Sequence, residues 1–135
     1  GQIVSWNGGA QTIFGYPVRK ASGFDVNRLQ LLLAVLQKHL SVNIGNQDVY
    51  INVVSGFRLS DPYCDLGICM AILSSFYKKP LPTDLVFLGE VGLSGEIHLP
   101  KEAQKRKKEI EKLGLRVHEE STSVAEIAGL LSLRA

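Results

Sequence analysis

At 135 residues with a formal net charge of +2, 45% hydrophobic and 21% charged residues, the chain has the composition of one ordinary soluble domain. That balance excludes intrinsic disorder, and a length above 100 residues buries a core without metals or disulfides. The longest apolar runs, such as Leu31–Leu36, fall far short of the roughly twenty residues of a membrane span, and no basic start or cleavage site marks a signal peptide, so no membrane and a cytoplasmic location are expected.

In chain order, Ile3–Trp6 and Thr12–Val18 read as strands joined by the Asn7-Gly8-Gly9 turn, a predicted hairpin. Strand-like pattern from Ile3, with no initiator Met, predicts a segment of something longer. Asp25 is placed to cap a helix over Val26–Leu40, where Leu29, Leu32, Leu33, Leu36 and Leu40 follow the three-and-four spacing of a buried face. Val49–Val54 alternates as a strand, with Val49, Ile51 and Val53 on one face, and its near-continuous apolarity predicts a central position.

Ser60-Asp61-Pro62 opens a helix running to Lys79, with Asp61 as cap and Pro62 where a missing N–H costs nothing; Pro80 and Pro82 close it. Leu85–Leu88 and Glu96–Leu99 are read as strands, with Gly89, Gly92 and Gly95 punctuating a tight hairpin-like passage between them. Lys101–Leu113 is read as a charged helix ended by Gly114, Leu115–Val117 as a strand and Ser123–Leu131 as a helix capped by Thr122 or Ser123. The order ββαβαββαβα defines one α/β or α+β domain over residues 1–135.

Several chemistries lack their residues. Cys64 and Cys69 lie five apart on one helix and cannot meet as a disulfide, and His39, His98 and His118 are scattered singly, so no metal site is expected. Gly89-Glu90-Val91-Gly92-Leu93-Ser94-Gly95 does not have the spacing of a dinucleotide fingerprint, and no P-loop occurs. Asp65, in the first turn of its helix, supplies there the anion that a hydrolase would keep for its transition state, and it opposes a thiolate at Cys64. Lys101, Lys105, Lys108 and Lys112 recur at helical spacing, either a solvated face laced with lysine–glutamate pairs or a surface for phosphates.

The strings NRLQLLLAVLQKHL, NQDVYINVVSGFRLSDP, AILSSFYKKPLP and LVFLGEVGLSGEI, in that order over about Gly15–Gly114, resemble the C-terminal region of the RadA (Sms) family of bacterial DNA-repair ATPases. The resemblance implies a Lon-protease-like fold, shared with ribosomal protein S5 domain 2. It also implies a parent protein acting in recombination and branch migration, whose hexameric ring engages single-stranded or branched DNA. ATP, Mg and Zn would be held by the parent's ATPase and zinc-finger parts, with no cofactor in this domain. Laid on Lon proteases, which use a serine–lysine dyad, the chain has Tyr63 at the serine position and Gln104 at the lysine position, with Lys105 one residue off; a degenerate, non-proteolytic site follows. Arg19, Lys20, Arg58, Lys101, Lys105, Arg106 and Lys108 are then the DNA-binding candidates. Arg19-Lys20 departs slightly from the family register, and the stretch between Leu115 and Ser121 is shorter than is usual. An active Ser/Cys–Lys peptidase and an S5-like RNA-binding module are the alternatives.

Overall fold

The computed structural model describes residues 17–40, 43–53, 59–118 and 123–133. Its elements are β1 (Arg19–Ser22), α1 (Val26–Leu40), β2 (Val49–Asn52), a 3-10 turn (Pro62–Cys64) leading into α2 (Asp65–Tyr77), β3 (Leu85–Val86), β4 (Glu90–Val91), β5 (Ile97–His98), α3 (Ala103–Lys112), β6 (Arg116–Val117) and α4 (Val124–Leu133). The domain is mixed α/β, as the pattern predicts.

α1 has the bounds read from sequence. Asp25 accepts from the Asn27 amide at 2.9 Å through its side chain and from Leu29 at 3.0 Å through its carbonyl, and the leucine stripe turns Leu29, Leu32, Leu33 and Leu36 inward. The helix is the crossover between two parallel strands, β1 and β2, paired from Arg19 opposite Val49 to Ser22 opposite Asn52. Alternation in β2 sends Val49 and Ile51, with Val53 beyond its end, into the core. Among the described residues its partner is β1, so a central position for this strand is not seen there.

Two strand expectations change. The N-terminal hairpin lies almost wholly outside the described residues; Pro17 and Val18 are not strand, and pairing begins one residue later, at Arg19. The reason is long-range: Val49 donates to the Val18 carbonyl and Val53 to the Ser22 carbonyl, so β2 fixes where β1 starts. A strand not expected from sequence, β4, pairs antiparallel with β5, Glu90 opposite His98. The hairpin turns at Gly95, φ +79°, where a Cβ would stand 3.2 Å from Val124 Cγ2.

α2 carries Leu66, Ile68, Cys69, Met70, Ile72 and Leu73 into the core between α1 and α4, and α4 contributes Val124, Ile127 and Ala128. α2 ends two residues earlier than expected, at Tyr77, because Lys78 takes the left-handed conformation at φ 55° before Pro80. β3 pairs with β6 in parallel. Of the two proposed caps for α4, Ser123 acts, its hydroxyl accepting from Glu126 at 3.2 Å; Thr122 lies outside the described residues. α3 has no buried residue and packs chiefly along β6.

Candidate functional site

The first turn of α2 is where a helix N-terminus offers unpaired amides to an anion. Here the chain uses them itself. Tyr63 donates to Asp61 Oδ1 at 2.9 Å, Cys64 to the Asp61 carbonyl at 3.0 Å, and Asp65 to the Pro62 carbonyl. Leu66 donates to the Gly89 carbonyl at 3.0 Å, and Gly89 in turn donates to the Tyr63 carbonyl at 2.9 Å. This seam needs glycine at 89, since a Cβ there would lie 2.6 Å from Ile97 Cγ2. An oxyanion hole requires donors open to substrate; the amides of residues 63–66 are all spent inside the fold.

The anion at this end is Asp65, only 1% exposed. Its carboxylate accepts from Arg28 Nε at 3.1 Å, from Arg28 Nη2 and from the Val91 amide at 3.1 Å, while Arg28 Nη2 also donates to the Val91 carbonyl at 3.1 Å. The pair joins α1, α2 and β4. Sequence reading identified Asp65 as a resident anion but not its partner, 37 positions away. Both residues line an open cleft of about 440 Å³ that also includes Asp25, Asp61 and Glu90. Carboxylates dominate that lining, the wrong field for an anionic transition state.

Cys64 is half-buried and Cys69 buried, both as free thiols. Burial first, then the charges of Asp61 and Asp65, push the Cys64 thiol above its ordinary range; Arg106 acts weakly the other way, and no lysine amine is among the charges that act on it. Burial also raises Cys69, strongly. Neither is an activated nucleophile.

Tyr63 is half-buried and Gln104 is exposed. The residue of α3 that reaches Tyr63 is Arg106, whose guanidinium carbon stands 5.4 Å from the ring centroid, with Nη1 2.7 Å from Asp61 Oδ2. This contact draws Asp61 below the usual carboxylate range: burial alone would raise it, but the Tyr63 amide and the Arg106 hydrogen bond outweigh that.

The DNA-binding candidates divide sharply. Lys101, just before α3, and Lys105, Lys108 and Lys112 on it are placed on the outer side of the domain; all four are exposed, as is Lys20 on β1. Arg106 is tied to Asp61, and Lys107 approaches Glu111 at 3.9 Å. Arg19 donates into the turn before β2, to the carbonyls of Gln47, Ile44 (3.2 Å) and Gly45 (3.3 Å). Arg116 pairs with Asp84 at 2.7 Å. Thus each arginine among the described residues is engaged within the domain, and the lysines carry the exposed positive charge; Arg58 lies outside the described residues.

These features define a mixed α/β domain with a self-occupied helix N-terminus and a lysine-bearing outer helix. The chain is similar to part of proteins named DNA repair protein RadA. Identity is 43% over 107 residues with that of Brucella abortus (79% of this chain, 23% of the relative), and 47% over 100 residues with that of Haemophilus influenzae (74% and 22%). With that of Halalkalibacterium halodurans it is 44% over 105 residues (78% and 23%). The chain spans under a quarter of the length of these curated relatives. No family model matches it. No helix among the described residues is long and apolar enough to cross a membrane.

Proposed function

We propose that the chain is a non-proteolytic, Lon-protease-like domain of a RadA-type DNA-repair ATPase, cytoplasmic, serving ring assembly and contact with single-stranded or branched DNA beside its own ATPase domain. The observation that carries the non-proteolytic half is the closed first turn of α2: amides 63–66 are bonded internally and Asp65 holds the anionic place. A peptidase would need both reversed.

The DNA half is supported by similarity to proteins named for DNA repair and by the lysines of α3. Lysines are point charges that attract phosphates without reading bases, whereas base readout favours bidentate arginine, and the described arginines are engaged elsewhere. Contact of this kind is independent of sequence, weak in one copy and multiplied in a ring. ATP, magnesium and zinc would act in the parent protein outside this domain.

Proteolysis and DNA binding assayed side by side test the reading. The full-length protein, with or without ATP, is expected to retard single-stranded DNA and leave an unfolded protein substrate intact. Cleavage above background that disappears in Cys64→Ala would overturn it.

A further inference from the structure

α3 presents a problem of attachment. Its ten residues bury no side chain, none joins the hydrophobic core or the apolar residues packed against it, and its ends are held by a short turn and the two-residue strand β6. Burial of an apolar stripe is what normally fixes a helix on a domain. Here the contact reaching from α3 to the start of α2 is polar: the Arg106 guanidinium sits over the Tyr63 ring and bonds Asp61, which also caps the turn into α2.

We propose that Arg106 is a positioning residue, a latch that fixes α3 across the N-terminal end of α2 and thereby sets where Lys105, Lys108 and Lys112 point. Arg106 therefore leaves the set of DNA-contacting residues and becomes the one that orients them. The guanidinium suits this role because its plane stacks on an aromatic ring while its edge donates to a carboxylate, two contacts that an ammonium cannot make together. Asp61 Oδ1 serves the cap and Oδ2 the latch, so the two functions of one carboxylate are separable. An asparagine retains the capping acceptor and loses the charge.

Hydrogen exchange read by mass spectrometry on the 135-residue chain tests the latch without reference to DNA. Arg106→Gln and Asp61→Asn should each speed exchange of the α3 amides by roughly three- to tenfold, the factor expected when a partly exposed ion pair and a cation–π interaction are removed. α2 amides should keep their protection, which shows that the fold is intact. The double variant should be no faster than Arg106→Gln alone, and Arg106→Lys should recover only part of the protection. Unchanged α3 exchange in Arg106→Gln, or additive effects in the double variant, would overturn the proposal. The consequence for DNA rests on the proposed function and is read separately. Asp61→Asn removes a negative charge, yet by misplacing the lysines it should weaken single-strand binding in the full-length protein. Faster α3 exchange with no change in DNA binding would sink the DNA role of α3 and leave the latch standing, whereas unaltered exchange sinks the latch whatever DNA does.

Discussion

Arg28→Ala is the substitution whose cost follows most directly from the geometry. It removes both guanidinium bonds from Asp65, leaving a carboxylate 1% exposed with the Val91 amide as its remaining donor of the set described. Breaking a buried pair from one side costs about 3–5 kcal/mol, because the surviving charge is desolvated and uncompensated. Arg28 is itself 30% exposed and both residues line the open cleft, so water can reach the vacated place, which puts the expected cost near the lower end, about 3 kcal/mol. Asp65→Ala should cost less: the guanidinium can turn into the cleft, and the main penalty is the missing acceptor for Val91. With a urea slope of about 1–3 kcal/mol/M, Arg28→Ala lowers the midpoint by roughly 1–3 M at unchanged slope, and the double variant costs less than the sum of the singles. A shift in Arg28→Ala below about 1 kcal/mol, or strict additivity, would show that the pair is solvated and would refute this reasoning.

Gly95→Ala should destabilise by about 1–2 kcal/mol, since φ is +79° and the new methyl meets Val124, whereas Gly114→Ala, at φ +81° with open space around it, should bear only the backbone strain; paired urea titrations compare them. Alkylation of Cys64 should be slow at neutral pH and its rate should keep rising with pH beyond the ordinary thiol value of 9.0 instead of levelling off there, while Cys69 should react only on unfolding; rapid labelling of Cys64 at pH 7 would contradict the field assigned to Asp61 and Asp65. The carboxylate of Asp61 is depressed in the folded state, so its contribution to stability is full above the unfolded value of 3.8 and disappears as pH falls through the lower folded value. Asp61→Asn should flatten the acid limb of stability in that window, measured by urea midpoints across pH.

What was legible in the sequence was local. Asp25 and the leucine spacing determine α1 to the residue, Asp61-Pro62 marks the turn into α2, and alternation in β2 names its buried face. What was hidden depends on pairings between distant residues. Nothing in the neighbourhood of Arg28 or Asp65 announces that they meet, and the start of β1 is fixed by β2 rather than by its own pattern. Arg19 and Arg106 read as basic surface because charge counts do not reveal partners; only folding brings the Ile44 and Gly45 carbonyls to the one and Asp61 to the other. Tyr63 stands in the 3-10 turn that leads into α2, and nothing local to it announces that the Arg106 guanidinium of α3 lies over its ring.

The salt dependence of DNA binding tests the central claim most directly. Lys105→Ala with Lys108→Ala, both exposed and both outside the Arg106 latch, should weaken single-strand affinity of the full-length protein equally for unrelated sequences. The slope of log K against log salt should flatten by about 0.7 for each phosphate that is no longer neutralised. Unchanged affinity and slope would mean that α3 is a solvated surface, and would remove DNA binding from this domain.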